Sequence, residues 1–267
     1  MNNNSEKAAD LLTDALSTVD EDTVEKALGI LKKYKEGKVN LENRIIDNEQ
    51  WFKIRHWEQL RNGSGAESEC ASAWLFNSIA NKHADAMDNF PVVNCLAREQ
   101  SDIRSARFLT EILPVIFERS DFEQIYSDCW WYKLKAGTAV YGIFWNPLKN
   151  NGLGDIEIRQ IDILNLFWEP GVKDIQKSRN IFHVELIDND ILKERYPILD
   201  GVLSGSNIEI SHYIYDDSVD ISEKSAVIDW YYKITENGVE KLHYCKFCNG
   251  VVLYSSQNDP EYSERGF

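Results

Sequence analysis

Ala136-Gly137-Thr138-Ala139-Val140-Tyr141-Gly142-Ile143-Phe144-Trp145 is where the chain changes character. Before it, Phe122, Ile125, Cys129 and Tyr132 recur at helical spacing after a Ser120-Asp121 start. From Thr138 the residues turn β-branched and aromatic, the composition of a pleated, half-buried strand. The switch from a 3.6-residue to a 2-residue period predicts helices before Gly137 and a strand-rich body after it. The fold class expected is therefore α+β: a helical N-terminal region followed by a mixed body of antiparallel strands and hairpins.

Upstream, Ser5 can cap a first short helix carrying Leu11, Leu12, Ala15 and Leu16. Asp20 can cap a second, with Glu21 and Asp22 favourable in its first turn and Val24, Ala27, Leu28 and Leu31 as its stripe. Gly37 predicts the stop of that helix. Lys32, Lys33, Lys35 and Lys38 then sit at its end, where cations suit the dipole. A third helix is expected over 41–61, with Leu41, Ile45, Phe52 and His56 on one face. Asn62-Gly63-Ser64-Gly65 breaks the chain. A helix over 68–89 precedes Pro91, and Val92–Leu96 predicts a short strand. The helix after Ser101-Asp102 contains Pro114, which should kink it or end it early.

Downstream, strands are expected at about 138–145, 156–168, 180–187 and 227–254, with a short helix between Ile191 and Tyr196. Glu236-Asn237-Gly238 and Asn249-Gly250 are hairpin turns within the last strand region. Residues 200–222 are acidic and loop-rich. Ser255–Phe267 is polar, and is expected to close no element and bury nothing.

The 267 residues allow one large domain or two modest ones. A net charge of −15 disfavours electrostatic capture of nucleic acid. The five cysteines, Cys70, Cys95, Cys129, Cys245 and Cys248, are odd in number and irregular in spacing, as reduced cytoplasmic thiols are. The polar opening Met1–Glu6 lacks a signal peptide's apolar run, and no segment approaches the ~20 apolar residues of a membrane span.

Candidate chemistry is sparse. His243, Cys245 and Cys248 make half of a zinc motif, and the second pair that such a site needs is missing. Buried thiols in a hairpin is the simpler reading. Eight Trp and twelve Tyr could form sugar platforms, with carboxylates for acid–base work. Yet Trp130, Trp131 and Tyr132 lie on a helix with a core face of its own. Gly152-x-Gly154 precedes a strand instead of a helix, so it is no dinucleotide fingerprint. Gly63-Ser64-Gly65 reads as linker, and the five histidines are scattered. No catalytic, cofactor-binding or metal-ligating residue is assigned, and no cofactor is expected.

Short stretches in order carry more. Asn81-Lys82-His83-Ala84-Asp85 ahead of Pro91, Ser120–Gln124 and Asp128–Lys133 leading into Gly137–Gly142, Gly154–Ile158, Asn165–Gly171, Asp174–Asn180 with Phe182-His183-Val184, and Asn258–Tyr262 together resemble portal proteins of tailed bacteriophages. The resemblance spans about residues 40–267 and is nearest to Gram-positive prophage types. It implies a portal wing-like fold: an N-terminal helical region over 1–66 and an α+β wing over 67–267. Stem, clip and crown are not represented, so this chain alone is expected not to close a stable ring.

The resemblance implies a structural subunit, not an enzyme. It would belong to a homo-oligomeric, typically dodecameric ring at the capsid vertex of the virion, assembled in the bacterial host cytoplasm. Viral DNA is packaged and ejected through such a ring, and the tail attaches to it. Implied partners are the large terminase subunit, major capsid and scaffolding proteins, a head–tail adaptor, and double-stranded DNA passing without sequence-specific binding; no membrane is implied. The alternatives are an acidic, aromatic-rich carbohydrate-active enzyme and a different head–tail adaptor protein.

Overall fold

The computed structural model describes residues 18–56, 71–203, 223–236 and 238–266. The helix expected at 5–16, the linker at 62–65 and most of the 200–222 loop lie outside these. Helices α1 (Glu21–Phe52), α2 (Trp74–Asp88), α3 (Ile103–Arg119) and α4 (Phe122–Ala136) lead into strands β1 (Val140–Asn146) and β2 (Asp155–Ile161). Then come β3 (Leu166–Trp168), β4 (Asn180–Asp188), helix α5 (Asn189–Arg195), β5 (Lys224–Glu236), β6 (Val239–Cys248) and β7 (Val251–Ser255). The α+β class is as expected. β1 and β2 pair antiparallel as a ribbon, and β3 to β7 form an antiparallel five-stranded meander.

The chain divides into two compact units, one of residues 1–42 and 164–267, the other of residues 43–163. The sequence boundary expected at 66 lies outside the described residues.

In the first unit the strand period sorts side chains cleanly. Ala226, Ile228, Trp230, Tyr232 and Ile234 on β5, Phe182 and Val184 on β4, and Cys245 and Phe247 on β6 share one face. Val24, Ala27 and Leu31 of α1 cover it, with Leu28 and Tyr34 beside them. That spacing is the amphipathic stripe of a helix on a sheet. On the other face, Val227 and Cys248 pack with Leu192 and Leu199, from α5 and the turn after it.

Asp20 caps α1 as expected: its Oδ1 accepts from the Thr23 amide (2.9 Å) and hydroxyl (2.7 Å). These bonds hold the Asp20 carboxyl below its usual range. Gly37, however, does not stop the helix. It lies inside α1, where an added Cβ would meet the Pro170 ring at 2.7 Å. The glycine serves close approach, which a stop signal read from sequence mimics.

The lysine reading is corrected with it. Lys38 is 7% exposed in mid-helix, not at an end. Its Nζ donates to the Leu164 (3.2 Å) and Leu166 (2.9 Å) carbonyls, lies 3.4 Å from Glu42 and sits 4.3 Å from the Phe167 ring centroid.

The segment after β7 also departs from expectation. Ser255, Ser256 and Gln257 are buried. The Ser256 amide donates to the Tyr244 carbonyl and its hydroxyl accepts from the Tyr244 amide, each at 2.9 Å. Gln257 Oε1 accepts from the Tyr232 hydroxyl (2.8 Å), and Asn258 brackets the Val19 backbone, accepting from its amide (2.7 Å) and donating to its carbonyl (3.0 Å). Polar residues here are buried because each finds a backbone or side-chain partner, which a hydropathy pattern does not register.

In the second unit, Ile45, Ile79, Cys129, Ala136, Ile158, Ile161 and Ile163 are buried. Glu49 of α1, also buried, pairs with Lys135 at 2.8 Å, and Asn48 donates to the Lys135 carbonyl at 3.0 Å. α3 continues through Pro114 to Arg119; a proline removes one ladder bond, and the helix tolerates it here. α4 ends on Gly137 at φ +80°, the left-handed stop read from sequence. Val92–Leu96 is not a strand: among the described residues it pairs with none.

Candidate functional site

The half-motif His243, Cys245 and Cys248 is split by the pleat. Residues three apart on a strand point to opposite faces. Cys245 lies in the core under α1, and Cys248 in the cluster with Leu192 and Leu199. Burial raises both thiols, Cys245 to about 12 and Cys248 to about 11, so both are protonated and poorly nucleophilic. His243 is buried beside the Ser256 hydroxyl, 3.2 Å from Nδ1. Among the described residues no three His, Cys, Asp or Glu side chains are grouped to share a metal ion.

Trp131 joins a half-buried aromatic group, 5.9 Å from Phe52 and stacked on His83 at 4.1 Å. Trp130 packs near Tyr126 (6.1 Å), with Lys133 Nζ 3.8 Å from its ring centroid. Neither stands over a pair of carboxylates in the contacts described. Gly152 and Gly154 both have positive φ, +89° and +79°, and shape the β1–β2 turn. At Gly154 an added Cβ would also meet the Trp145 ring at 2.3 Å, which would have to move aside.

The structure brings together one polar group that sequence reasoning missed. His183, Asp229 and Lys246 are register partners across β4, β5 and β6, on the sheet face away from α1. Asp229 accepts from the Tyr244 hydroxyl at 2.6 Å and lies 3.1 Å from Lys246 Nζ and 3.7 Å from His183 Nδ1. Glu185 is 3.8 Å from the same His183 nitrogen. Burial pushes the Asp229 carboxyl up, but His183, the Lys246 charge and the Tyr244 hydroxyl together hold it below its usual value. Burial and the Asp229 charge raise the Tyr244 phenol. Tyr244 and Lys246 on one neighbouring strand and His183 on the other converge on one carboxylate, so the group works as a cross-strand tie. The only sequence signal was three polar residues alternating with apolar ones on strands, and their register was not readable.

Asp229→Asn should lower stability by about 2 kcal/mol near neutral pH, the scale of charged hydrogen bonds. A depressed carboxyl stabilises the fold above its unfolded value, 3.8, and that contribution is lost as pH falls through the lower folded value. Urea midpoints of wild type and variant should therefore converge below about pH 3.8. A constant gap across the acid range would contradict the assignment.

The second unit is distinctive for its surface. Helix α3 has seventeen residues and none is buried, although it carries Ile103, Phe108, Leu109 and Val115 on exposed positions. Trp74 of α2 is 81% exposed, Val92 89%, and Ile143 and Trp145 of β1 72% and 64%. Ordinary monomer surfaces scatter such residues singly, and accumulations mark contact sites. The sequence matches no family model and no curated protein.

Proposed function

We propose that this chain is a structural assembly subunit of the portal type, contributing wing-like packing to the ring through which viral DNA passes. The exposed apolar surface of residues 43–163 carries this reading, with α3 its clearest part. Removing side chains such as Phe108, Trp145 and Val92 from water is worth about 1.5–3 kcal/mol each, an energy that association can recover. The ordered resemblances along the sequence support the portal class in particular. The net charge of −15 fits a wall past which a duplex slides without being held. Assembly is the function the surface serves, and DNA passage follows from the resemblance.

Light scattering behind a sizing column, run over a range of protein and salt concentrations, tests the assembly claim. Mass should rise with concentration, and salt should promote the rise by screening repulsion between acidic copies. A strictly monomeric protein under every condition would contradict it.

A further inference from the structure

Phe90–Ala97 runs along α3 in the opposite direction. Phe90 and Val92 line one groove with Pro114 and Phe117; Leu96 and Ala97 line another with Ile103 and Ala106. Between them, the Cys95 amide donates to Thr110 Oγ1 (3.0 Å), which itself lies nearer the Ala106 carbonyl (3.0 Å) than the Cys95 carbonyl (3.4 Å). The helix from Ile103 to Phe117 is about 21 Å long at its standard rise. Seven residue steps cover that length at about 3 Å each, near the rise of a strand. Exposure alternates accordingly: Val92, Asn94 and Leu96 face out, and Val93 and Cys95 are half-buried. Cys95 apart, no backbone group of Val92–Leu96 is hydrogen-bonded among the described residues. This is a strand in all but its partner, an open edge of the kind folded proteins cover.

The same unit holds a second open edge. The β1–β2 ribbon has no third strand among the described residues, and an isolated two-stranded ribbon is marginal. Its β1 presents Tyr141, Ile143 and Trp145 on one exposed face.

We propose that Val92–Leu96 of one copy pairs with the free edge of β1 in a second copy, extending that ribbon to three strands. The proposal rests on the assembly reading and assigns its contact. Pairing would set Val92 and Leu96 beside Tyr141, Ile143 and Trp145 on one face, joining two apolar stripes. Pairing of the segment with its own counterpart would stop at a dimer and leave β1 open. Pairing with β1 engages the segment and the β1 edge of every copy and repeats head to tail, the interface type that forms rings or open chains. Either product grows with protein concentration, so mass reports it.

Asn94→Pro tests it. The Asn94 amide has no partner among the described residues, and a proline there would restrict Val93 to the extended backbone that the alternating exposure of Val92–Leu96 points to. The variant should keep the wild-type circular dichroism while association weakens about tenfold or more, the effect of losing one or two ladder bonds. Association of Asn94→Pro at wild-type strength would overturn the proposed contact while leaving the assembly reading in place; a monomeric wild type would overturn both. Independently of that variant, benzoylphenylalanine in place of Asn94, photolysed in a mixture of isotope-labelled and unlabelled chains, should link to the Val140–Asn146 stretch of the other copy. Links instead to residues 91–97 of the other copy, or none to β1, would overturn the pairing.

Discussion

Lys38→Met should destabilise the protein by about 3–5 kcal/mol, the cost of removing one partner from a buried ion pair. The methionine stem fills the same space, so the loss is electrical. The Leu164 and Leu166 carbonyls lose their shared donor, and Glu42, 6% exposed, is left with an uncompensated charge beside β3. The companion double variant, Lys38→Met with Glu42→Leu, should recover much of the loss, because a buried pair replaced whole by apolar residues is often neutral. Lys32→Met, on the exposed side of α1, should change stability by less than about 0.5 kcal/mol. Urea unfolding followed by circular dichroism measures all three. Equal effects at Lys32 and Lys38 would contradict the anchoring role.

Trp230→Ala should cost a similar amount, about 3–5 kcal/mol, by opening a cavity in the core. Trp230 is 1% exposed and lies between Phe182, nearly parallel at 5.9 Å, and Tyr232 at 4.0 Å. Its indole N–H donates to Asn180 Oδ1 at 3.0 Å. Trp230→Phe retains most of the packing and should cost less, mainly the unmatched Asn180 oxygen. Thermal unfolding of the two variants should rank alanine well below phenylalanine. A phenylalanine variant as unstable as the alanine would shift the weight from packing to that single hydrogen bond.

Most strands were legible because alternation and hairpin residues are local signals, whereas the strand expected over 156–168 is broken by a tight turn at Ile163–Asn165 into β2 and β3, which join different sheets. β5 shows the alternation best: its even-numbered residues, from Ala226 to Ile234, face α1, and Val227 faces away. Asn249-Gly250, with both residues at positive φ, divides β6 from β7 as read. What failed was non-local. Gly37 resembles a helix stop until Pro170, far along the chain, is seen against it. Lys38 falls seven residues after Leu31 on the α1 stripe, a clue to burial that its charge masks. Cys245 and Cys248 make a motif on paper that a two-residue period pulls apart. Val92–Leu96 has the sequence of a strand, but pairing needs a neighbour, and sequence does not say whose. The Asp229 network depends on register across three strands, which no local pattern encodes.

Ring assembly is decided by electron microscopy of the protein at increasing concentration. Closed rings of uniform rotational symmetry are expected, with a central channel wide enough for duplex DNA and with residues 43–163 forming contacts between neighbouring copies. Single particles of monomer size with no ring at any concentration, or rings in which residues 43–163 face solvent throughout, would contradict it.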